Sequence, residues 1–436
     1  MASVQQYLSV LAGAQSGANA DAQRAAAQMQ IELKNGDPRN AINLCMQLIA
    51  RGQPLEARHF GYGVLQHVVA RRWSQFTHPE RQELAKLVYD KLSECGAVPT
   101  SEPPEPFMIK SKAATLMAEV VRQEGAALWS SFMPEMAAGA CSDSPVRAEL
   151  SALVMRYVAE DVAVYNSDII GGRMKELLYG LTSTLPQALQ AMYRLLEVHF
   201  SAAMNAAAAG NTPVAKAHAA AVSAALSAAA VYGEWAPLAP LMRSGVLDAC
   251  CQLLSSGADI AFRAQACEVL RHVAHRRRGD TVNAAIASGA AGIVAGGKNA
   301  STAPAALAAA SADDAAREAA ADAAAVVVGL EAMCRGLGVA AQRVLAGAPA
   351  EVGSEEGEYA RRLTETVATV AANHVQVIGD EGLRAAFLEA LLGLTKHPRL
   401  DVLAAAIPAW PGLLRAMGAE LPGTFVRPDK AIGSGV

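Results

Sequence analysis

Aromatic residues make up only 5% of this 436-residue chain, and neither sign of charge dominates it. The β-branched residues are scattered, without the alternating runs bounded by turn residues that mark strands, so sheets are not expected. With 37 basic and 41 acidic residues the net charge is -4. That supplies no global basic field for nucleic acid and no acidic solvating tail, although a local basic face stays open. The seven cysteines (Cys45, Cys95, Cys141, Cys250, Cys251, Cys267 and Cys334) are odd in number, dispersed, and form no Cys-x-x-Cys. They fit reduced core thiols in a cytosolic or nuclear protein better than a disulfide framework or a zinc site. No basic residue precedes Arg24, so the basic segment of a secretory signal and the arginines of a transit peptide are missing. The longest charge-free runs, around 217–233 and 281–297, are rich in Ala, Gly and Ser. They are too weakly apolar to span a bilayer, and no membrane insertion is expected.

What the chain does have is apolar content, 52% of it, which excludes a mostly disordered protein. Much of that content is alanine, the best helix former and one that needs no large core. The pattern is clearest from Arg147 to Phe200. Leu150, Leu153, Val154, Tyr157, Val158 and Val162 recur at three- and four-residue steps, which places them on one stripe of a helix. After a turn at 167–172 the stripe restarts with Met174, Leu177, Leu178, Leu181 and Leu185. Pro186 interrupts it, and it runs on through Leu189, Met192, Leu196 and Phe200. One apolar stripe cannot be buried by its own helix, so paired helices that each need a neighbour imply an α-solenoid.

Helix pairs follow one another along the chain. Asn35-Gly36-Asp37-Pro38 ends one helix and caps the next. Helices are expected at 21–35, 38–51, 55–73 and 79–94, then after a Pro-rich connector at 109–123, 127–138 and 147–166. Further helices are expected at 212–232, 237–255, 259–277, 281–294, 323–345, 359–377, 381–395 and 402–417. The pairing repeats roughly every 40 residues, the range of HEAT and armadillo repeats. The expected class is therefore all-α, an α-solenoid of HEAT/armadillo-like helix pairs. Residues 1–20 read as a flexible N-terminus and 21–95 as the first pairs. A continuous repeat region follows at 107–295, an Ala-rich low-complexity insertion at 296–322, further pairs at 323–417 and a flexible tail at 418–436.

No catalytic constellation stands out. Residues 292–298 read G-I-V-A-G-G-K, a phosphate-loop pattern with Asn299 where Ser or Thr would hold magnesium. No strand precedes it, so a chance match in a low-complexity stretch is the simpler reading. Glu268, His272 and His275 fall on one helix face, as metal ligands could, but Arg271, Arg276, Arg277 and Arg278 crowd the same end and oppose a cation. Those four arginines could touch RNA phosphates, or only complement a helix C-terminus. The helical methionines, Met204 among them, and Trp73, Trp129 and Trp235 read as packing residues. No cofactor is implied, and an enzyme is not expected.

Particular stretches resemble a known family. A-R-H-F-G-Y-G-V-L-Q-H-V-V-A-R-R-W at 57–73 resembles the N-terminal domain of importin-β-type nuclear transport receptors. K-S-K-A-A-T-L-M-A-E-V-V-R-Q-E-G at 110–125, A-E-L-S-A-L-V-M-R-Y-V-A-E-D-V-A-V-Y-N at 148–166, L-L-Y-G-L-T-S-T-L-P-Q-A-L at 177–189, A-A-A-V-Y-G-E-W-A-P-L at 228–238 and A-C-E-V-L-R-H-V at 266–273 are similar to the exportin-5 branch, most of all its plant-type form. The resemblance covers about residues 20–280. It implies a non-enzymatic, HEAT-repeat export receptor that shuttles between nucleus and cytoplasm. Its partners would be Ran-GTP, nuclear pore proteins, structured RNA such as small-RNA precursors and transfer RNA, and protein cargo. Receptors of this family are much longer, so the chain would correspond to an N-terminal portion. The family's Ran contact uses the inner, second helices of the first pairs, which here implies Arg39, Asn43, Gln47, Glu83, Lys86 and Asp90. The alternative expectation is a generic HEAT/armadillo interaction scaffold without Ran dependence.

Overall fold

The structure is a computed structural model, and it describes residues 4–15, 20–97, 104–165, 169, 171–256, 258–279, 283, 307–351 and 353–416. All regular structure among the described residues is helical. The chain divides into two compact units, Met1–Pro237 and Leu238–Val436.

Unit 1 holds α1 (Val4–Gln15), α2 (Ala20–Asn35), α3 (Pro38–Leu48), α4 (Leu55–Arg72), α5 (His78–Gly96), α6 (Phe107–Glu124), α7 (Ala126–Ala140), α8 (Pro145–Ala159), α9 (Gly172–Ser183), α10 (Leu185–Ala208) and α11 (Thr212–Trp235). Two layers emerge from their packing. The first helices of successive pairs, α4, α6, α8 and α11, lie side by side. The second helices α3, α5, α7 and α10 cover them, packing on α4, α6, α8 and α11 respectively. This is the stacked helix-pair arrangement of an α-solenoid.

Local chemistry sets the boundaries. Asp37 accepts the Arg39 N–H at 3.3 Å, with Pro38 opening α3. Thr77 and Glu80 form a capping box at α5, satisfying two N-terminal donors at once. Gly125 sits at φ +63 between α6 and α7, a left-handed turn that a side chain would strain. Pro186 lies in the first turn of α10, so it begins a helix rather than interrupting one. The 147–166 helix stops at Ala159 and continues as a single π turn, Glu160–Val164.

The first-helix layer is buried on several sides. Val154, Met155 and Ala159 of α8 and Val120 and Val121 of α6 have no exposed surface. Two ion pairs are buried with them. Lys110 of α6 meets Glu149 of α8, with side chains 8% and 2% exposed. Arg58 of α4 holds Glu105 at 2.9 Å, and Arg51 stands 3.5 Å from the same carboxylate. Burial pushes the Glu149 carboxyl above its ordinary range, and Lys110 opposes that rise. Trp73, 5% exposed, donates its indole N–H to Glu124 at 3.0 Å and so ties the end of α4 to the end of α6.

Unit 2 holds α12 (Leu238–Arg243), α13 (Val246–Ser255), α14 (Ile260–His275), α15 (Leu307–Ala346), α16 (Glu355–His374), α17 (Glu381–Thr395), α18 (Leu400–Ala406) and α19 (Ala409–Ala416). The first helix α14 packs on the next first helix, α16, while α15 packs against α12, α13, α16 and α17. Close approach along α15 needs glycine. A Cβ on Gly329 would fall 2.3 Å from the Met242 sulfur, and one on Gly336 would fall 2.5 Å from the Cys251 Cβ. All seven cysteines are free thiols, and all but Cys141 are buried.

Three further sequence readings need correction. Residues 4–15, read as part of a flexible N-terminus, form α1, whose Tyr7 and Leu11 are buried against Leu48 and Ala57. Residues 307–322, read as part of a loop insertion, are the first turns of α15, and Asp322 there is paired with Arg243. Met204, read as a core filler, is 46% exposed. The expected helix at 281–294 (apart from Asn283), the phosphate-loop pattern at 292–298, residues 296–306 and the 418–436 tail lie outside the described residues, as does the side chain of Trp129. By length and composition α11 and residues 316–346 could cross a membrane. Both are packed within their units, α11 against α8 and α10 and α15 against four helices.

Removing one member of a buried pair leaves an uncompensated charge. Lys110→Ala should therefore destabilise unit 1 by about 3–5 kcal/mol, read from the urea unfolding of the full chain. Replacing both partners by Met and Leu should recover most of that loss.

Candidate interaction face

The helices α3 and α5 are consecutive members of the second-helix layer, so one face of each is left uncovered. Arg39, Asn43 and Gln47 recur every four residues on α3, and Glu83, Lys86 and Asp90 recur at steps of three and four on α5. All six are exposed. A groove of about 190 Å³ runs between the helices. Arg39, Asn43 and Glu83 line it over an apolar floor that includes Ile42, Phe76, Leu84 and Leu87. The other three lie apart. Gln47 donates to the Asn43 carbonyl at 3.1 Å. Lys86 lines a second groove of about 380 Å³ with Tyr89, Glu124 and Glu135, and Asp90 lines neither groove.

The electrostatic centre of the first groove is a residue that sequence reading passed over. Glu80 takes the Arg39 guanidinium in a fork, 2.7 Å to Nε and 2.9 Å to Nη2. The same carboxylate accepts the Thr77 N–H at 2.7 Å and the Thr77 hydroxyl at 2.9 Å. These donors, Arg39 foremost, pull the Glu80 carboxyl down to about 2 and raise the Arg39 pKa. The guanidinium also lies 5.5 Å over the Phe76 ring. Arg39 is thus fixed and charge-compensated, and Glu83 carries the uncompensated charge on the groove. The signal for Glu80 was in the sequence, as the Thr-x-x-Glu of a capping box.

The four arginines at and beyond the end of α14 do not form a common face. Arg271 is held by Glu268, its Nε 2.9 Å from the carboxylate, and His272 stands 3.2 Å from the same group. The pair holds the Glu268 carboxyl well below the usual carboxylate range. His275 rests its Nδ1 on the Arg271 carbonyl at 2.8 Å. Among the described residues no group of three or more His, Cys, Asp or Glu side chains stands in a metal-holding arrangement. Arg276 is partly buried and engaged. Arg278 turns inward, donating to the Asn373 carbonyl at 2.7 Å beside His374 Nδ1 at 2.8 Å. It meets the carbonyl end of α16, where a cation is favoured. Of the four, Arg277 alone is exposed without a partner among the described residues.

Residues 106–270, which run from the start of α6 into α14, match the family described as "Exportin 1-like protein". Over that stretch the chain is similar to exportin 1-like proteins. Across 408 residues it is 30% identical to Protein HASTY 1 of Arabidopsis thaliana, an alignment that covers 93% of this chain and 30% of that protein. The chain thus spans under a third of its relative's length. Among solved structures, one whose title describes Kap95p binding to RanGDP covers 97% of this chain and 57% of its own. Its TM-score is 0.37 at 11% identity, too low to carry an argument.

Burial and the neighbouring Arg278 lower the His374 pKa from 6.5 to about 4. The folded value lies below the unfolded one, so the unfolded chain takes up the proton first. Stability is full above about pH 6.5 and is lost as pH falls toward about 4. The wild-type chain should lose up to about 3 kcal/mol through this group over that range. The loss is read as the difference in urea midpoints from His374→Asn at matched pH.

Proposed function

We propose that the chain is the N-terminal portion of a nuclear export receptor. It binds Ran-GTP on the exposed face of α3 and α5 and, in the complete receptor, carries structured RNA (small-RNA precursors, transfer RNA) and protein cargo through the pore to the cytoplasm. The observation that carries this reading is the 408-residue alignment with the HASTY protein, and the exportin 1-like match supports it. The α3–α5 groove adds a suitable surface, with an apolar floor, one fixed arginine and a free carboxylate at Glu83. A partner that lays an apolar side chain and a cation into it would be recognised. Of the four arginines at the end of α14, Arg277 is the exposed one left for RNA phosphate. Ran and cargo each favour one curvature of the helix stack, so each raises the affinity of the other, and the coupling is reciprocal.

The purified chain should be retained by Ran loaded with GTP and not by Ran loaded with GDP. Glu83→Arg should weaken that retention at least tenfold, while Gln47→Ala changes it little, as read by surface-immobilised binding. Equal binding in both nucleotide states, or none from the folded chain, would favour a generic helical-repeat scaffold.

A further inference from the structure

In unit 2 a cavity of about 160 Å³ opens at the ends of several helices. The last turn of α13, the start of α14, the end of α15, the start of α16 and the connection between α17 and α18 all contribute. Arg263, Arg343 and Arg399 line it, with His397, Tyr359 and Glu356.

The three arginines differ in what they have left to offer. Arg399 is fully engaged: its side chain is 7% exposed, Nε lies 3.0 Å from Asp401, and Nη1 donates to the Ala350 and Glu351 carbonyls at 3.2 and 3.4 Å. It fixes the wall and contributes field rather than free donors. Arg263 uses only Nε, on the Ala258 carbonyl at 3.1 Å, and its guanidinium lies 5.1 Å over the Tyr359 ring. Both of its Nη groups are without a partner among the described residues. Arg343 uses Nη1 on the Ser256 carbonyl at 3.3 Å, which leaves Nε and Nη2. His397 Nδ1 accepts the Arg399 N–H at 3.2 Å, so the neutral ring carries its proton on Nε2 as one more donor. The start of α16, capped by Ser354, adds the partial positive charge of a helix N-terminus.

Donors from two separate helices therefore surround one small space. Against three guanidinium groups one carboxylate lines the cavity, Glu356, exposed and unpaired on the rim; Asp401 is held by Arg399, and Glu355 and Glu358 share the first turn of α16. We propose that this cavity binds a phosphate group, held between the free donors of Arg263 and Arg343. A tetrahedral oxyanion has acceptors in enough directions to meet both arginines and the imidazole N–H. A planar carboxylate would satisfy one fork and leave the other.

The test is a titration of the full chain with inorganic phosphate and, separately, glycerol phosphate, followed by ³¹P line width at constant ionic strength, with acetate as the control anion. Saturable binding is expected with either phosphate and not with acetate. Arg343→Ala and Arg263→Ala should each weaken it at least fivefold. Glu356→Gln should tighten it by a similar factor, because a repelling charge is removed, and a misfolded variant could not mimic that gain. Tighter binding of the ester would identify an esterified phosphate as the ligand, and equal binding would identify the free ion. Linear, non-saturable broadening, or binding indifferent to Arg343→Ala and Glu356→Gln, would overturn the proposal.

Discussion

Every first helix in unit 1 has to be buried by its neighbours, because none can hide its own apolar surface. The helices α6 and α8 are the clearest case, each packed against first helices on both sides and a second helix above. Alanine makes this density workable, since Ala148, Ala152 and Ala159 let α8 sit close to helices on three sides. The same closeness forces polar groups into the dry layer, where Lys110 finds Glu149 and Ser111 finds Tyr157 on a neighbouring helix. Such pairs add little net stability over apolar packing, but they penalise any register that separates them. The Arg58–Glu105 contact plays the same part for the connector into α6.

That dependence explains how much of the fold was legible. Stripe periodicity and the Asn-Gly-Asp-Pro break located most helices, and the 381–395 helix agrees with α17 to the residue. Where the reading failed, burial by remote residues decided the outcome. Val4, Tyr7, Leu8 and Leu11 stand at helical spacing in a short polar-flanked segment, too little to mark a helix until Tyr7 and Leu11 find Leu48 and Ala57 in space. Residues 307–322 look like low complexity because their alanines carry no pattern. The packing of Gly329 and Gly336 against α12 and α13, which anchors that long helix, is invisible without coordinates. The candidate face was legible only in part. Helix geometry placed Arg39, Asn43 and Glu83 on exposed positions, but the space between helices separates Lys86 and Asp90 from them. Likewise four arginines close in sequence do not stay together once the chain leaves α14, because Arg278 satisfies a carbonyl of α16.

The contrast between the layers matters for any surface meant to meet a partner. First helices are covered on several sides and carry the stability. The second helices α3 and α5 leave long faces and a groove between them uncovered. A surface made this way can change its partner-facing chemistry, one exposed residue at a time, without disturbing the layer beneath. The Arg39–Glu80 fork bridges α3 and α5 across that open face, so a ligand seated between them would act on the spacing of two repeats at once.

The thiols turn the architecture into something that can be read from outside. Cys45 and Cys95 lie in unit 1, and Cys250, Cys251, Cys267 and Cys334 in unit 2. Burial pushes the thiols of Cys45, Cys251, Cys267 and Cys334 up to about 12 and that of Cys95 to about 11. A thiol held protonated and enclosed does not react until the helices around it part. Cys141 is exposed and marks the time at which reagent arrives. The chain therefore carries internal clocks on α3 and α5 and on α13, α14 and α15, whose order of reaction would trace the order in which those helices come open.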